Sequence, residues 1–404
     1  MDVLISGASI AGPALAYWLG RYGFRPTIVE IASALPAGGN AVDFRGPLHL
    51  GVLDRMGVLG ALREAQTGGT AMRFVDESGA TLMRWPAALA GGDLEVLRGD
   101  LARVLCDAGG EWTEYLFGDS IAETRETPAG VEVTFASGVR RTFDLVVGAD
   151  GVHSAVRRLT FGPEERFVKH LGYYVAGWEL PATRDMTEGR PATTRKETDG
   201  LLMYNAPGRM MGLRLDHRDP TRASAFAVFA APRLSYDRHD PAAQKKILRD
   251  TFAGMGWLTP RLLSQLDTTP DIYFDQICRV DNPAWTRGRT ALVGDAACGA
   301  TIGGQGSGTA IVAAYVLAGE LAAAGGDHRA AFARYERRIG KFARGTQKGG
   351  DTTGRFLAPK TDRGIRLRNA LNNRKWFLDL TFKIAADRST NLALPDYESL
   401  AIRS

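Results

Sequence analysis

Three glycine-rich turns, each closing a short apolar strand, lie far apart in this 404-residue chain, near residues 7, 148 and 294. One such turn constrains little. Three in series require a discontinuous unit in which distant strands come side by side and offer backbone to one dinucleotide. The first runs Val3-Leu4-Ile5-Ser6-Gly7-Ala8-Ser9-Ile10-Ala11-Gly12, a strand entering a helix whose apolar positions Ala11, Leu15, Trp18, Leu19 and Tyr22 are expected on one face. It keeps the frame of GxGxxG, with Ser9 in the middle glycine's place. Gly7 permits the tight turn, a small residue at 9 lets backbone N–H groups approach a pyrophosphate, and Gly12 allows the helix close to the strand. Ile10 and Ala11 begin that helix, whose positive dipole end suits an anion. A second strand, Pro26-Thr27-Ile28-Val29-Glu30, ends in an acid at the spacing expected of a ribose-hydroxyl acceptor.

The second turn is Leu145-Val146-Val147-Gly148-Ala149-Asp150-Gly151-Val152-His153-Ser154-Ala155-Val156-Arg157. The i, i+4, i+7 spacing of Asp150, Ser154 and Arg157 predicts one shared helix face, where they meet each other and an anionic cofactor. An isolated Asp-Gly turn with a solvated Arg157 is the alternative. The third is Thr290-Ala291-Leu292-Val293-Gly294-Asp295-Ala296-Ala297, followed by Gly299, Gly303, Gly304, Gly306 and Gly308. Glycines so dense before an apolar helix (Ile311, Tyr315, Ala318, Ala322) describe backbone packed against a flat ligand, with free N–H groups to stabilise negative charge on a ring.

Together these segments resemble the three fingerprints of single-component, class A FAD-dependent monooxygenases, the para-hydroxybenzoate hydroxylase type that includes polyketide hydroxylases and tetracycline-inactivating monooxygenases. The resemblance spans Val3 to about Ala324. It implies Glu30 on the adenosine ribose, Arg98 reaching the cofactor, and Asp150 in a segment the family uses for both FAD and nicotinamide. It further implies Gly294 and Asp295 at the ribityl or pyrophosphate region, and the backbone of Gly304, Gly306, Ser307 and Gly308 along the isoalloxazine edge. In the family's cycle NADPH or NADH reduces FAD, O2 adds at flavin C4a, and the hydroperoxide passes its distal oxygen to an electron-rich carbon. The chain departs from the pattern at Cys298, at Thr301-Ile302, and at Gly308, where many members carry Asn. Those departures bear on the cavity over the ring, and so on the substrate.

The expected fold class is α/β: a Rossmann-like FAD-binding domain with an inserted, mostly antiparallel β-sheet substrate domain and C-terminal helices. The FAD-binding domain takes 1–70, 99–165 and 286–325, including a hairpin over 131–135 and 142–147. The substrate domain takes 71–98 and 166–285, with strands at 172–180, 201–205, 210–215 and 225–229. The helical, basic tail is 326–404, anchored by Phe332, Tyr335 and Phe342, then Phe377, Leu380, Phe382 and Ile384. Three cysteines without paired spacing argue against a disulfide framework and a metal site, and fit a cytoplasmic setting. A net charge of +5 and the lack of a recognised module give no reason to expect nucleic acid. The longest apolar candidate for a membrane span, 376–386, is broken by Asp379 and Lys383.

The expected partners are O2 and a small aromatic or polyketide substrate, handled by a monomer or weak homodimer. Candidate substrate contacts are Tyr174, Arg195, Tyr204, Arg214 and Phe226 on the predicted sheet, with Thr301 and Ile302 over the ring. Strand alternation turns Phe226 away from Phe229, so at most one faces the cavity. Arg195 or Arg214 suits a phenolate, enolate or carboxylate. No nucleophile elbow or triad is present, and His153 and His170 read as ordinary polar residues. A flavin-dependent reductase or halogenase of the same fold, and a non-catalytic flavin-binding protein that shields a reactive metabolite, remain alternatives, as does Baeyer-Villiger insertion instead of hydroxylation.

Overall fold

The computed structural model describes residues 1–35, 39–67, 71–85, 92–183, 186, 200–216, 219–269, 272–303, 305–374, 376–378 and 392–402. It is a mixed α/β structure. A six-stranded sheet has the order Thr286–Arg287, Thr290–Leu292, Leu145–Gly148, Asp2–Ser6, Arg25–Glu30, Glu114–Phe117. All neighbours are parallel except the first pair. Near-continuous apolar runs are what a parallel sheet buried on both faces demands. The register sets Ser6 beside Gly148 and Val29, and Gly148 beside Leu292. All three glycine turns therefore leave the sheet at the same edge, beyond the carboxyl ends of adjacent strands.

The helix Ala11–Arg21 is buried from Ala11 through Gly20. The single apolar face expected of it is a correction: it is covered all round, by the sheet and by the helix Gly306–Ala323. Trp18 meets Tyr315 edge-on with ring centroids 4.8 Å apart. Among the described residues, Gly306–Ala323 is the one helix long and apolar enough to cross a membrane, with a mean hydropathy of 1.3, while most of the 376–386 stretch lies outside the described residues. Most of it is enclosed by protein, the setting in which an all-round apolar helix is stable in water.

A seven-stranded sheet has the order Tyr273–Val280, Val168–Pro181, Arg222–Ala230, Arg209–Leu215, Leu201–Ala206, Met72–Val75, Thr81–Trp85. Four of these strands contain the expected runs. The edge strand Tyr273–Val280 is an addition to them, and Leu94–Leu97 pairs with Ala41–Phe44 instead of joining this sheet. Alternation sorts the sheet's two faces cleanly. Tyr174, Trp178, Leu213, Ala225 and Phe229 pack under the helices Pro241–Phe252 and Thr259–Ser264 through Leu248, Phe252 and Leu262. Tyr173, Val175, Met203, Met210 and Val228 face the other way, toward Phe356 and Leu357 of the helix Gly350–Leu357 and toward Ile302. The expected hairpin exists as Gly130–Phe135 with Arg140–Phe143, while Leu145–Gly148 belongs to the parallel sheet. Phe332, Tyr335 and Phe342 anchor His328–Gln347 as expected. Leu380, Phe382 and Ile384 lie outside the described residues.

Candidate active site

At the first turn Gly7 has φ 107°, and its N–H donates to Val29 O at 2.8 Å. A Cβ on Gly7 would stand 2.6 Å from Ala149 O, and one on Gly12 would run into the Gly7 carbonyl. Neither clash is with a movable side chain, so glycine is required at both positions. Glu30 braces this turn: one carboxylate oxygen accepts from Ala8 N at 2.8 Å and the other from Ala32 N at 3.0 Å. Each oxygen keeps a lone pair for a ribose hydroxyl. Arg98, first residue of the helix Arg98–Ala108, donates from Nε to Ser9 Oγ at 3.0 Å, which sets a guanidinium over the turn. Ile10 and Ala11 lie at the helix start, where N–H groups lack intrahelical partners.

The second turn differs from its expectation. Asp150 and Ser154 precede the helix Ala155–Phe161, so the three residues share no helix face. Ser154 caps that helix by accepting from Arg157 N at 2.9 Å. Arg157 is fully buried, not solvated: it donates to Ala296 O at 3.0 Å and to Val152 O, tying the second turn to the third. Asp150 accepts from Val156 N at 3.1 Å and Ser6 Oγ at 3.3 Å through one oxygen, while its other oxygen is buried with no hydrogen-bond partner among the described residues. An unmet buried acceptor costs about 1–3 kcal/mol. Burial raises the carboxyl's pKa above its ordinary value.

Gly294, φ 63°, lies between Ala11 and Ala310, whose Cβ atoms would be 3.1 and 3.2 Å from a Cβ placed there. First turn, third turn and long helix meet at this point. Asp295 faces the helix start, its Oδ1 3.1 Å from a Cβ on Gly306, and no donor among the described residues reaches its carboxylate. Burial pushes its pKa up, and the charge of Arg98 pulls the other way. Gly306 and Ser307 are half-buried at that helix N-terminus. Gly308 is buried against the imidazole of His49, which a Cβ would strike. Gly304 lies outside the described residues.

The substrate residues separate. Phe226 and Arg214 are half-buried on the sheet face toward Ile302, and Gly177 and Gly212 flank Phe226 on its two neighbouring strands. Tyr174 is a correction: at 1% exposure it is stacked on Phe229 and Phe274 under the helices, on the opposite face, with Leu234 N donating to its hydroxyl. Tyr204 is also on that opposite face, beside Trp257. Parity along the strand decides both. Thr301 spends its hydroxyl on the edge strand, donating to Gln276 O at 2.9 Å and accepting from Cys278 N at 3.1 Å. Arg195 lies outside the described residues.

No family model matches the chain. A flavin-dependent monooxygenase of Legionella longbeachae serogroup 1 is 34% identical over 404 residues, covering 99% of each chain. This chain belongs to the flavin-dependent monooxygenases. An uncharacterized protein of Mycobacterium tuberculosis is 41% identical over 352 residues, 85% of this chain and 91% of that one. Among solved structures, tetracycline destructase Tet(51) superposes with a TM-score of 0.80 at 32% identity, over 98% of both chains. The class A resemblance of the three turns is thus borne out at the level of family, and the chain is an oxidoreductase.

Within this monooxygenase, three groups near the turns go beyond what their sequence neighbourhood signals. Tyr273, 42% exposed on the edge strand, is within electrostatic reach of Arg98 and Asp295. His49 is fully buried, accepts from Arg45 N at 3.2 Å, and has its pKa lowered to about 4 by burial, so it is neutral. His153 is no ordinary polar residue. Its Nδ1 lies 3.0 and 3.1 Å from the two oxygens of Glu164, and its Nε2 3.1 Å from both oxygens of Asp275. Only the position of His153 inside the second motif signals it, since its partners lie 11 and 122 residues away. His170, by contrast, meets no carboxylate among the described residues: its Nε2 donates to the Ala231 carbonyl and its ring packs against Tyr174.

Proposed function

We propose that this monooxygenase holds FAD in the cradle formed by the three turns and uses NAD(P)H and O2 to hydroxylate an aromatic or polycyclic small molecule. The observation that carries the reading is the convergence of Gly7, Gly12, Glu30, Arg98, Asp295 and the Gly306–Ala323 N-terminus at one edge of the parallel sheet. The residues fit the group. Glu30 offers lone pairs to a ribose, Arg98 a cation to a pyrophosphate, and the oxygens of Asp150 and Asp295 that have no donor among the described residues accept from hydroxyls. Bound flavin supplies oxygen activation, and the protein supplies orientation, electrostatics and water exclusion. The free N–H groups at the Gly306–Ala323 start stabilise negative charge placed beside them.

On this reading 1–70, 99–165 and 286–325 form the cofactor domain, to which Leu94–Leu97 and Arg98 attach, and the rest of 71–98 with 166–285 walls the substrate. Phe226 between two glycines offers a flat apolar shelf to a ring system, and Arg214, two residues beyond Gly212, faces an enolate or carboxylate edge. The kinship with a tetracycline destructase supports a polycyclic substrate, encountered in antibiotic inactivation or secondary metabolism. The test is to purify the chain, record its flavin spectrum, and analyse products from phenolic and polyketide panels supplied with NADH or NADPH and air. Products heavier by one oxygen support the reading. Nicotinamide consumption with reduced, unoxygenated products points to a reductase, and a colourless protein that takes up no FAD overturns the assignment.

A further inference from the structure

The second turn is held from two sides. Arg157 pins it to the third turn through carbonyl oxygens. On the other side His153 bridges Glu164, in the short helix Glu164–Arg166, to Asp275, on the edge strand of the seven-stranded sheet. Both ring nitrogens face carboxylates. A neutral imidazole would present a lone pair to one of them, whereas an imidazolium donates to both.

We propose that His153 is a positioning residue: as an imidazolium clamped between Glu164 and Asp275, it fixes the Asp150–Arg157 turn against the substrate sheet and thereby sets the alkaline limit of tight FAD binding. This inference rests on the proposed flavin site. Asp150, which carries the unmet oxygen, precedes His153 by three residues, so the clamp's geometry is transmitted to it along a short, capped turn. Loss of one proton leaves two carboxylates facing a ring that can satisfy only one.

The surroundings favour the charged form. Hydrogen bonds to Asp275 and then Glu164 raise the pKa of His153 to about 9 against the opposing effect of burial. Arg157, 3.9 Å from Glu164, and Arg238 nearby lend positive charge to Glu164. Tyr236, Tyr273, Tyr174 and Cys278 lie within electrostatic reach of Asp275; burial raises the pKa of Tyr236, Tyr174 and Cys278, and the charge of Asp275 raises that of each, so all four are neutral at physiological pH. The sign follows. With its folded pKa above the unfolded value, His153 contributes fully below about pH 6.5, and the contribution is lost as pH rises through about 9.

The test follows histidine rings by NMR in the full chain from about pH 6 to pH 10, and FAD affinity by flavin fluorescence over the same range. Of the six histidines, one should keep its proton to about pH 9 and vanish in His153→Gln. Bound FAD should raise this ring's midpoint by about one pH unit, and wild-type FAD affinity should weaken roughly tenfold more than that of His153→Gln between the free and bound midpoints. Asp275→Asn should move the ring's midpoint and the affinity midpoint down together by about one pH unit. A purely structural strut would not tie affinity to the ring's titration. Rings that all titrate below about pH 7.5, or affinity that ignores a high-titrating ring, overturn the proposal while leaving the flavin site standing. Absent FAD binding at neutral pH overturns both.

Discussion

Asp295 and Gly12 are the residues on which the candidate site depends most directly. No donor among the described residues reaches Asp295, so its hydrogen bonds are available to a ligand. Asp295→Ala should weaken FAD binding about 10- to 100-fold, the effect of losing a charge-assisted hydrogen bond worth about 1.5–3 kcal/mol. Equilibrium dialysis with FAD measures it, and unchanged flavin retention removes Asp295 from the site. At Gly12 the obstacle to a side chain is the Gly7 carbonyl, which cannot swing aside. Gly12→Val should yield protein without flavin or without a stable fold, read from the spectrum and from circular dichroism. Both residues are legible in the sequence because their roles follow from a turn of a few residues. Tyr174 is not: an aromatic on a strand fits either face, and only the strand's parity in the assembled sheet sends it under the helices.

At the scale of elements, the Gly306–Ala323 helix shows what a local pattern conceals. Its expected apolar stripe is real, yet the helix is buried on nearly every side, and Glu320 within it is 2% exposed. Arg334 and Arg338 from His328–Gln347 and the Tyr397 hydroxyl converge on that carboxylate, the last at 2.6 Å. This fastens 392–402 to the core, where Tyr397 lies over Gly319. Burial alone would raise the pKa of Glu320, but hydrogen bonds from Tyr397, Arg334 and Arg338 outweigh it and lower it. Its stabilisation is therefore present above the ordinary carboxylate pKa and is lost as pH falls through the lowered one. Glu320→Gln should cost about 2 kcal/mol at pH 7, with the arginines partly exposed and screened. The gap should narrow in acid, which thermal melts near pH 7 and pH 3 would reveal. In the sequence this residue is only an acid at the end of an apolar run.

For the whole molecule, a ligand that binds only the folded chain must stabilise it. FAD at about 100 times its dissociation constant should raise stability by about 2.7 kcal/mol, visible as a higher melting temperature, and Asp295→Ala should show less of that gain at equal FAD. No such shift would contradict a site built across three segments of the fold. The three turns, the strands around 172–229 and the helix anchored by Phe332, Tyr335 and Phe342 are readable in the amino-acid order alone, because strand alternation, turn chemistry and helical spacing are set by neighbours along the chain. The edge strand Tyr273–Val280, the clamp on His153 and the burial of Arg157 are decided only by the tertiary structure. Each depends on groups brought together from far along the chain, such as His153 and Asp275, 122 residues apart. Sequence spacing carries no record of that distance, and the charge and burial of such groups are properties of the path the folded backbone takes.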